Sequence, residues 1–88
     1  MRTILVTGGA KRIGKSITEQ LGYENNRVLI HYNNSDQDAK KLQNDLLDKQ
    51  IETFIYKADL SKVSDINNML EQISKDVGTD LDLSLIHI

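Results

Sequence analysis

Between Thr7 and Ser16 the chain reads Thr-Gly-Gly-Ala-Lys-Arg-Ile-Gly-Lys-Ser, residue types that together can hold a phosphate. The apolar run Ile4-Leu5-Val6 leads into this segment, and a helix-compatible stretch follows it. A glycine turn at the end of a buried strand leaves room where a bulky side chain would block a ligand. A helix opening from that turn presents N–H groups without intrahelical partners, and its positive dipole end favours a pyrophosphate. The chemistry indicated is nucleotide binding.

Two nucleotide patterns overlap here. Gly9 to Ser16 satisfies G-x-x-x-x-G-K-[ST], in which Lys15 would meet terminal phosphates and Ser16 a magnesium ion. That pattern has few fixed positions and also needs a strand ending in a magnesium-supporting acid. Asp59 follows Phe54-Ile55-Tyr56 only after Lys57 and Ala58, a poor fit. The competing pattern is a dinucleotide turn from Thr7-Gly8 to Gly14, with Lys15 as an ordinary helix residue facing solvent.

The elements needed to position such a turn are present. Thr3 to Thr7 is a β-branched run suited to a buried parallel strand. Ile13, Ile17 and Leu21 recur on one helical face, and Asn25-Asn26 ends that helix. Arg27 to Tyr32 reads as a second strand. Ser35 is expected to cap a second helix, with Asp36 and Asp38 in its first turn and Ala39, Leu42 and Leu46 on its buried face. Thr53 to Lys57 is a third strand. Val63, Ile66, Leu70, Ile73 and Val77 mark a third helix closed by Gly78, and Leu81 to Ile88 a fourth strand. Tyr23 and Tyr56 are read as packing residues. The order β-α-β-α-β-α-β, with short connections, predicts an α/β domain with a parallel sheet and right-handed crossovers. This is the first half of a doubly wound fold, whose ligands bind at the carboxyl ends of the strands.

Composition narrows the function. The chain has 88 residues, 11 basic and 13 acidic side chains and a net charge of −2, so no basic excess points to nucleic acid. Cysteine is absent, and His31 and His87 are far apart, which disfavours a metal centre. No opening run is long enough for a signal peptide or membrane span, so a cytoplasmic setting is expected.

Thr7-Gly8-Gly9-Ala10-Lys11-Arg12-Ile13-Gly14 resembles the T-G-x-x-x-G-x-G turn of the short-chain dehydrogenases/reductases, with Arg12 at the middle glycine. That replacement, and Leu29-Ile30-His31-Tyr32-Asn33-Asn34-Ser35, resemble the pteridine-reductase-like branch. Ala58-Asp59-Leu60-Ser61 resembles the family's adenine-side motif. The resemblance implies a Rossmann-type domain over 1–88, incomplete at its carboxyl end. It also implies cofactor contacts. Gly8 and Gly14 admit the backbone to the cofactor, and the Ile13 N–H meets the pyrophosphate. Asp59 accepts from the adenine amino group, and Leu60 backs the ring. Taken alone, Asp59 reads equally as a cap for the following helix.

The second strand bears on the choice of cofactor. An NAD site places an acid about 20 residues past the glycine turn. Here Tyr32, Asn33 and Asn34 stand in that region, and the acids after Gly14 and before Asp36 are Glu19 and Glu24 on the preceding helix. A 2′-phosphate is therefore permitted, with Arg12 placed to meet it and Asn34 and Ser35 as further donors. The expected cofactor is NADPH. His31 is expected near the adenosine as a strand-end side chain rather than a proton carrier.

The family's catalytic Tyr-x-x-x-Lys pair is absent: Tyr23 is followed four residues on by Arg27, Tyr32 by Asp36 and Tyr56 by Leu60. The Asn-Asn-Ala-Gly expected after a fourth strand is replaced by Ser84-Leu85-Ile86-His87-Ile88, which resembles a translated sequencing adapter and is apolar enough to occupy the strand position. The expected function is the cofactor-binding half of an NADPH-dependent short-chain oxidoreductase acting on a carbonyl or pterin-like substrate. The chain itself holds no catalytic residue, and the parent enzyme is expected to be a homo-oligomer. The alternatives are an NADP-sensing module without catalysis and the P-loop reading.

Overall fold

The computed structural model describes residues 2–8, 12–24, 26–78 and 83–87. The chain folds as β1 (Thr3–Thr7), α1 (Arg12–Tyr23), β2 (Arg27–Tyr32), α2 (Asp36–Asp48), β3 (Thr53–Lys57), α3 (Val63–Val77) and β4 (Leu83–His87). The strands form one parallel sheet in the order β3-β2-β1-β4. Thr7 of β1 lies beside His31 of β2, which lies beside Tyr56 of β3, so the carboxyl ends of three strands are level. The chain steps outward from β1 to β2 to β3 and then returns to the other side of β1. That reversal puts the crevice of a doubly wound sheet at the end of β1.

Period-two alternation divides the apolar residues between two layers. Ile4, Val6, Val28, Ile30 and Tyr32 pack in one cluster with Ala39, Leu42 and Leu46 of α2, and Leu21 of α1 joins them. Leu5, Leu29 and Tyr56 pack on the opposite face against Met69 and Ile73 of α3. Val28, Leu29 and Ile30 are fully buried, as expected for a central parallel strand covered by helices on both sides. Gly22 of α1 lets Ile51 approach closely: a Cβ there would lie 2.9 Å from Ile51 Cδ1 and 3.0 Å from Cγ2.

Several local expectations are corrected. Of the apolar positions named on α3, Ile73 is buried and Val77 packs beside it, but Val63 is 72% and Leu70 48% exposed, and Met69 fills the core instead. Ser35 stands at the start of α2, yet its side chain makes no capping hydrogen bond; its carbonyl instead accepts from Ala39 N–H at 2.8 Å. Tyr23 is not a packing residue: it is exposed, its hydroxyl accepts from Lys49 Nζ at 2.6 Å, and that ammonium lies 5.1 Å from the ring centre. Tyr56 is buried as expected. Asn26 carries out its part at the end of α1, its amide donating to Leu21 O at 2.9 Å. Asn25, Leu81, Asp82 and Ile88 lie outside the described residues.

The α3 layer gives a direct test of this packing. Ile73 is 3% exposed among Leu5, Leu29 and Met69. Ile73→Val removes one buried methylene and should lower stability by about 0.5–1.5 kcal/mol. Urea unfolding of the intact protein measures it; an unchanged midpoint would place Ile73 outside the core.

Candidate functional site

The residues singled out from the sequence converge on the carboxyl edge of the sheet. Gly8 leaves β1 with φ +70°, a conformation that side chains resist and glycine adopts freely. The chain resumes as α1 at Arg12, so Arg12, Ile13 and Gly14 form the helix's first turn. No acidic side chain occupies that turn to compete with an anionic ligand. Gly9, Ala10 and Lys11 lie outside the described residues.

At the next strand, His31 is 5% exposed and makes two hydrogen bonds. Gly8 N–H donates to its Nδ1 at 3.1 Å, and its Nε2 lies 2.8 Å from the carbonyl oxygen of Ala58. The Ala58 N–H donates in turn to Tyr32 O at 3.1 Å. Tyr32 itself turns inward: it is 8% exposed and belongs to the core cluster with Ile30 and Ala39. Asn33 and Asn34 are exposed and Ser35 half-buried. Asn34, Ser35, Asp36, Gln37 and Asp38 line a depression of about 370 Å³ at the start of α2. Lys57 at the end of β3 lies 3.7 Å from Asp36 Oδ1, an exposed pair that offsets one of the two carboxylates there.

Asp59 and Leu60 follow β3 at the same edge. The Asp59 carboxylate is already engaged on one side: Oδ1 accepts from Ser61 Oγ at 2.6 Å and from Ser61 N–H at 2.9 Å. Its own N–H donates to Asp65 Oδ2 at 3.0 Å, and its carbonyl accepts from Lys62 N–H at 3.0 Å. Asp59 therefore builds the turn into α3. A carboxylate has two oxygens, so this engagement leaves capacity for an adenine amino donor. The Ser61 hydroxyl, and then the Ser61 N–H, hold the Asp59 carboxyl below the usual range. Ser61→Ala should raise it back toward that range, as read by NMR titration of the carboxyl carbon. The Asp59 contribution to stability is present above the ordinary carboxylate pKa and fades as pH falls through the depressed value. An unchanged titration in Ser61→Ala would remove the hydroxyl from this account.

The buried tyrosine of β3 is held by α3 rather than by this edge. Burial, and then the Asp76 carboxylate accepting its hydroxyl at 2.9 Å, push the Tyr56 phenol well above the tyrosine range. Among the described residues no group of histidine, cysteine or acidic side chains could hold a metal, and no helix is long and apolar enough to cross a membrane.

Sequence reasoning placed His31 at this edge but missed its two bonds. The available signal was a polar ring following Val28-Leu29-Ile30 in an otherwise apolar strand.

Residues 2–85 match the short chain dehydrogenase family. The 3-oxoacyl-[acyl-carrier-protein] reductase FabG of Staphylococcus epidermidis is 28% identical over 78 residues, which cover 89% of this chain and 32% of that protein. The FolM alternative dihydrofolate reductase 1 of Brucella canis, solved in complex with NADP, superposes with a TM-score of 0.78 at 35% identity, over 88% of this chain and 30% of that one. A dehydrogenase/reductase of Sinorhizobium meliloti 1021 shares the fold with a TM-score of 0.87 at 24% identity, over 99% of this chain and 34% of that one. The chain thus spans about a third of the length of the proteins it matches.

Proposed function

The chain belongs to the short-chain dehydrogenase family, an oxidoreductase family, and from this we propose that it is the NADPH-binding amino-terminal portion of a reductase acting on a carbonyl or an imine-like pterin bond. The observation that carries the proposal is the convergence of Gly8, the Asn34–Ser35 turn and Asp59 on one edge of a parallel sheet ordered β3-β2-β1-β4. Nucleotides bind at that edge in doubly wound sheets. The residues fit a dinucleotide. Gly8 takes a backbone conformation suited to a tight turn, the first turn of α1 carries no acid, and the depression at Asn34 and Ser35 offers polar groups.

In this assignment the N–H groups at Ile13 and Gly14 meet the pyrophosphate, Arg12 with Asn34 and Ser35 meets the 2′-phosphate, and Asp59 and Leu60 meet the adenine. Tyr32 and Asn33 shape the strand end between them, Tyr32 from the core side. The nicotinamide supplies hydride to the substrate when bound. The FolM structure in complex with NADP, at 35% identity, supports both the phosphorylated cofactor and the pteridine-reductase-like branch. The FabG relatives support a carbonyl substrate. We assign residues 1–88 to a single incomplete domain of a longer cytoplasmic, homo-oligomeric enzyme, in which the Tyr-x-x-x-Lys pair lies outside this chain.

The test is NADPH oxidation by the intact protein with a panel of 3-oxoacyl thioesters, ketones and dihydropterins. The expected result is turnover with at least one class and NADPH favoured over NADH. Tight NADPH binding with no turnover on any of them, in a protein lacking Tyr-x-x-x-Lys, would instead favour the NADP-sensing module.

A further inference from the structure

We propose that His31 is a positioning residue for the dinucleotide, a neutral latch that ties the phosphate turn of β1 to the adenine-side end of β3. The inference rests on reading this edge as the dinucleotide site. It goes beyond that reading by assigning a function to a side chain that need not touch the cofactor.

A backbone N–H can only donate, so Gly8 requires a lone pair on His31 Nδ1, 3.1 Å away. A carbonyl can only accept, so Ala58 requires the proton on Nε2, 2.8 Å away. The two partners together select one tautomer, neutral with its proton on Nε2, and the imidazole of a buried residue is thereby fixed at both ends. These two partners stand directly before the two halves of the site. Gly8 begins the glycine turn at φ +70°, and Ala58 immediately precedes Asp59. The backbone bond from Ala58 N–H to Tyr32 O fixes the peptide just before it, so Ala58 is held on both sides. One ring therefore sets the spacing between the pyrophosphate end and the adenine end of the site across three neighbouring strands. Backbone strand pairing reaches Thr7 on β1 and the Ala58 N–H after β3, so Gly8 and the Ala58 carbonyl lie just beyond it. A dinucleotide spans that interval, so its affinity depends on an interval that the latch holds.

The two bonds can be separated by substitution. The amide oxygen of His31→Asn takes the place of Nδ1 and keeps an acceptor for Gly8, while the amide nitrogen of His31→Gln takes the place of Nε2 and keeps a donor for Ala58. His31→Leu keeps neither. In the intact protein, NADPH titration of folded variants is expected to show affinity about tenfold weaker for His31→Leu. His31→Asn and His31→Gln should each recover part of that loss, in a way that a change in melting temperature alone does not follow. The imidazole nitrogen shifts of the wild type should report a proton on Nε2 and none on Nδ1. If His31→Leu fails to fold, the Asn and Gln variants and the nitrogen shifts carry the test.

Wild-type affinity in a folded His31→Leu would overturn the proposal. So would Asn and Gln variants both at wild-type affinity, or nitrogen shifts showing the proton on Nδ1. Failure of the wild-type protein to bind NADPH at all would overturn the cofactor reading itself, an outcome distinct from these.

Discussion

Assayed alone with NADPH and carbonyl or dihydropterin substrates, the 88-residue chain is expected to show no hydride transfer, and the intact protein is expected to show it. The reasons are chemical. Carbonyl reduction in this manner needs a proton donor at the substrate oxygen, tuned by a neighbouring cation. The chain has three tyrosines. Tyr32 is packed in the core, Tyr56 is buried with its hydroxyl held by Asp76 and its phenol pushed far above neutral pH, and Tyr23 lies exposed at the end of α1 beside Lys49. None stands at the carboxyl edge with a lysine four residues on. His31, near that edge on β2, has both nitrogens committed to backbone groups. A turnover number that survived repurification of the chain alone would show that another group donates the proton.

The second large effect is expected at Arg12. The depression at the start of α2 holds Asp36 and Asp38, of which Lys57 accompanies only the first. Carboxylates there oppose a 2′-phosphate, so a cofactor preference for the phosphate needs a strong opposing cation. Arg12 opens α1 and stands where the family's turn has glycine. A charge-assisted hydrogen bond is worth about 1.5–3 kcal/mol. Arg12→Ala in the intact protein should therefore weaken NADPH binding about tenfold or more and leave NADH nearly unchanged. Asn34→Asp, which adds a third carboxylate to the depression, should shift the ratio the same way. Tyr32→Asp is a poor test of the same idea, because Tyr32 is in the core and the substitution would bury a charge. Equal loss of both cofactors on Arg12→Ala would assign the arginine to the pyrophosphate or to the turn.

Much of the fold is legible in the sequence because it is local. Each strand is a short apolar or β-branched run, each helix repeats apolar residues at three- and four-residue spacing, and helical crossovers between strands imply a parallel sheet. The departures come from choices that only the packed molecule makes. Val63 and Leu70 fit the same stripe of α3 as Ile73, but the sheet face toward α3 is filled by Leu5 and Leu29, which meet Ile73 and Met69 and leave Val63 and Leu70 exposed. Tyr32 follows the parity of Ile30, so its ring goes to the core even though its neighbours Asn33 and Asn34 face solvent. Ser35 has the right chemistry for a cap, yet with ψ at 55° its side chain makes no capping hydrogen bond. The candidate site residues come from the glycine turn and from the resemblance to the family, and the structure puts Gly8, Asn34, Ser35 and Asp59 at one edge of the sheet. The latch at His31 is not legible in the sequence, because its partners are backbone groups 23 and 27 residues away in sequence, and a residue pattern does not encode backbone partners at that range.

Binding of a nicotinamide dinucleotide at this edge of the sheet can be seen by amide NMR of the isotopically labelled intact protein during titration with NADPH. Saturable shifts are expected at Gly8, Ile13, Gly14, Asn34, Ser35, Asp59 and Leu60, with Thr3, Arg27 and Thr53 at the opposite ends of the strands unmoved, and no displacement by ATP with magnesium. Shifts centred on the amino ends of the strands, no shifts at millimolar NADPH, or displacement by magnesium ATP through Lys15 and Ser16 would contradict dinucleotide binding at this edge.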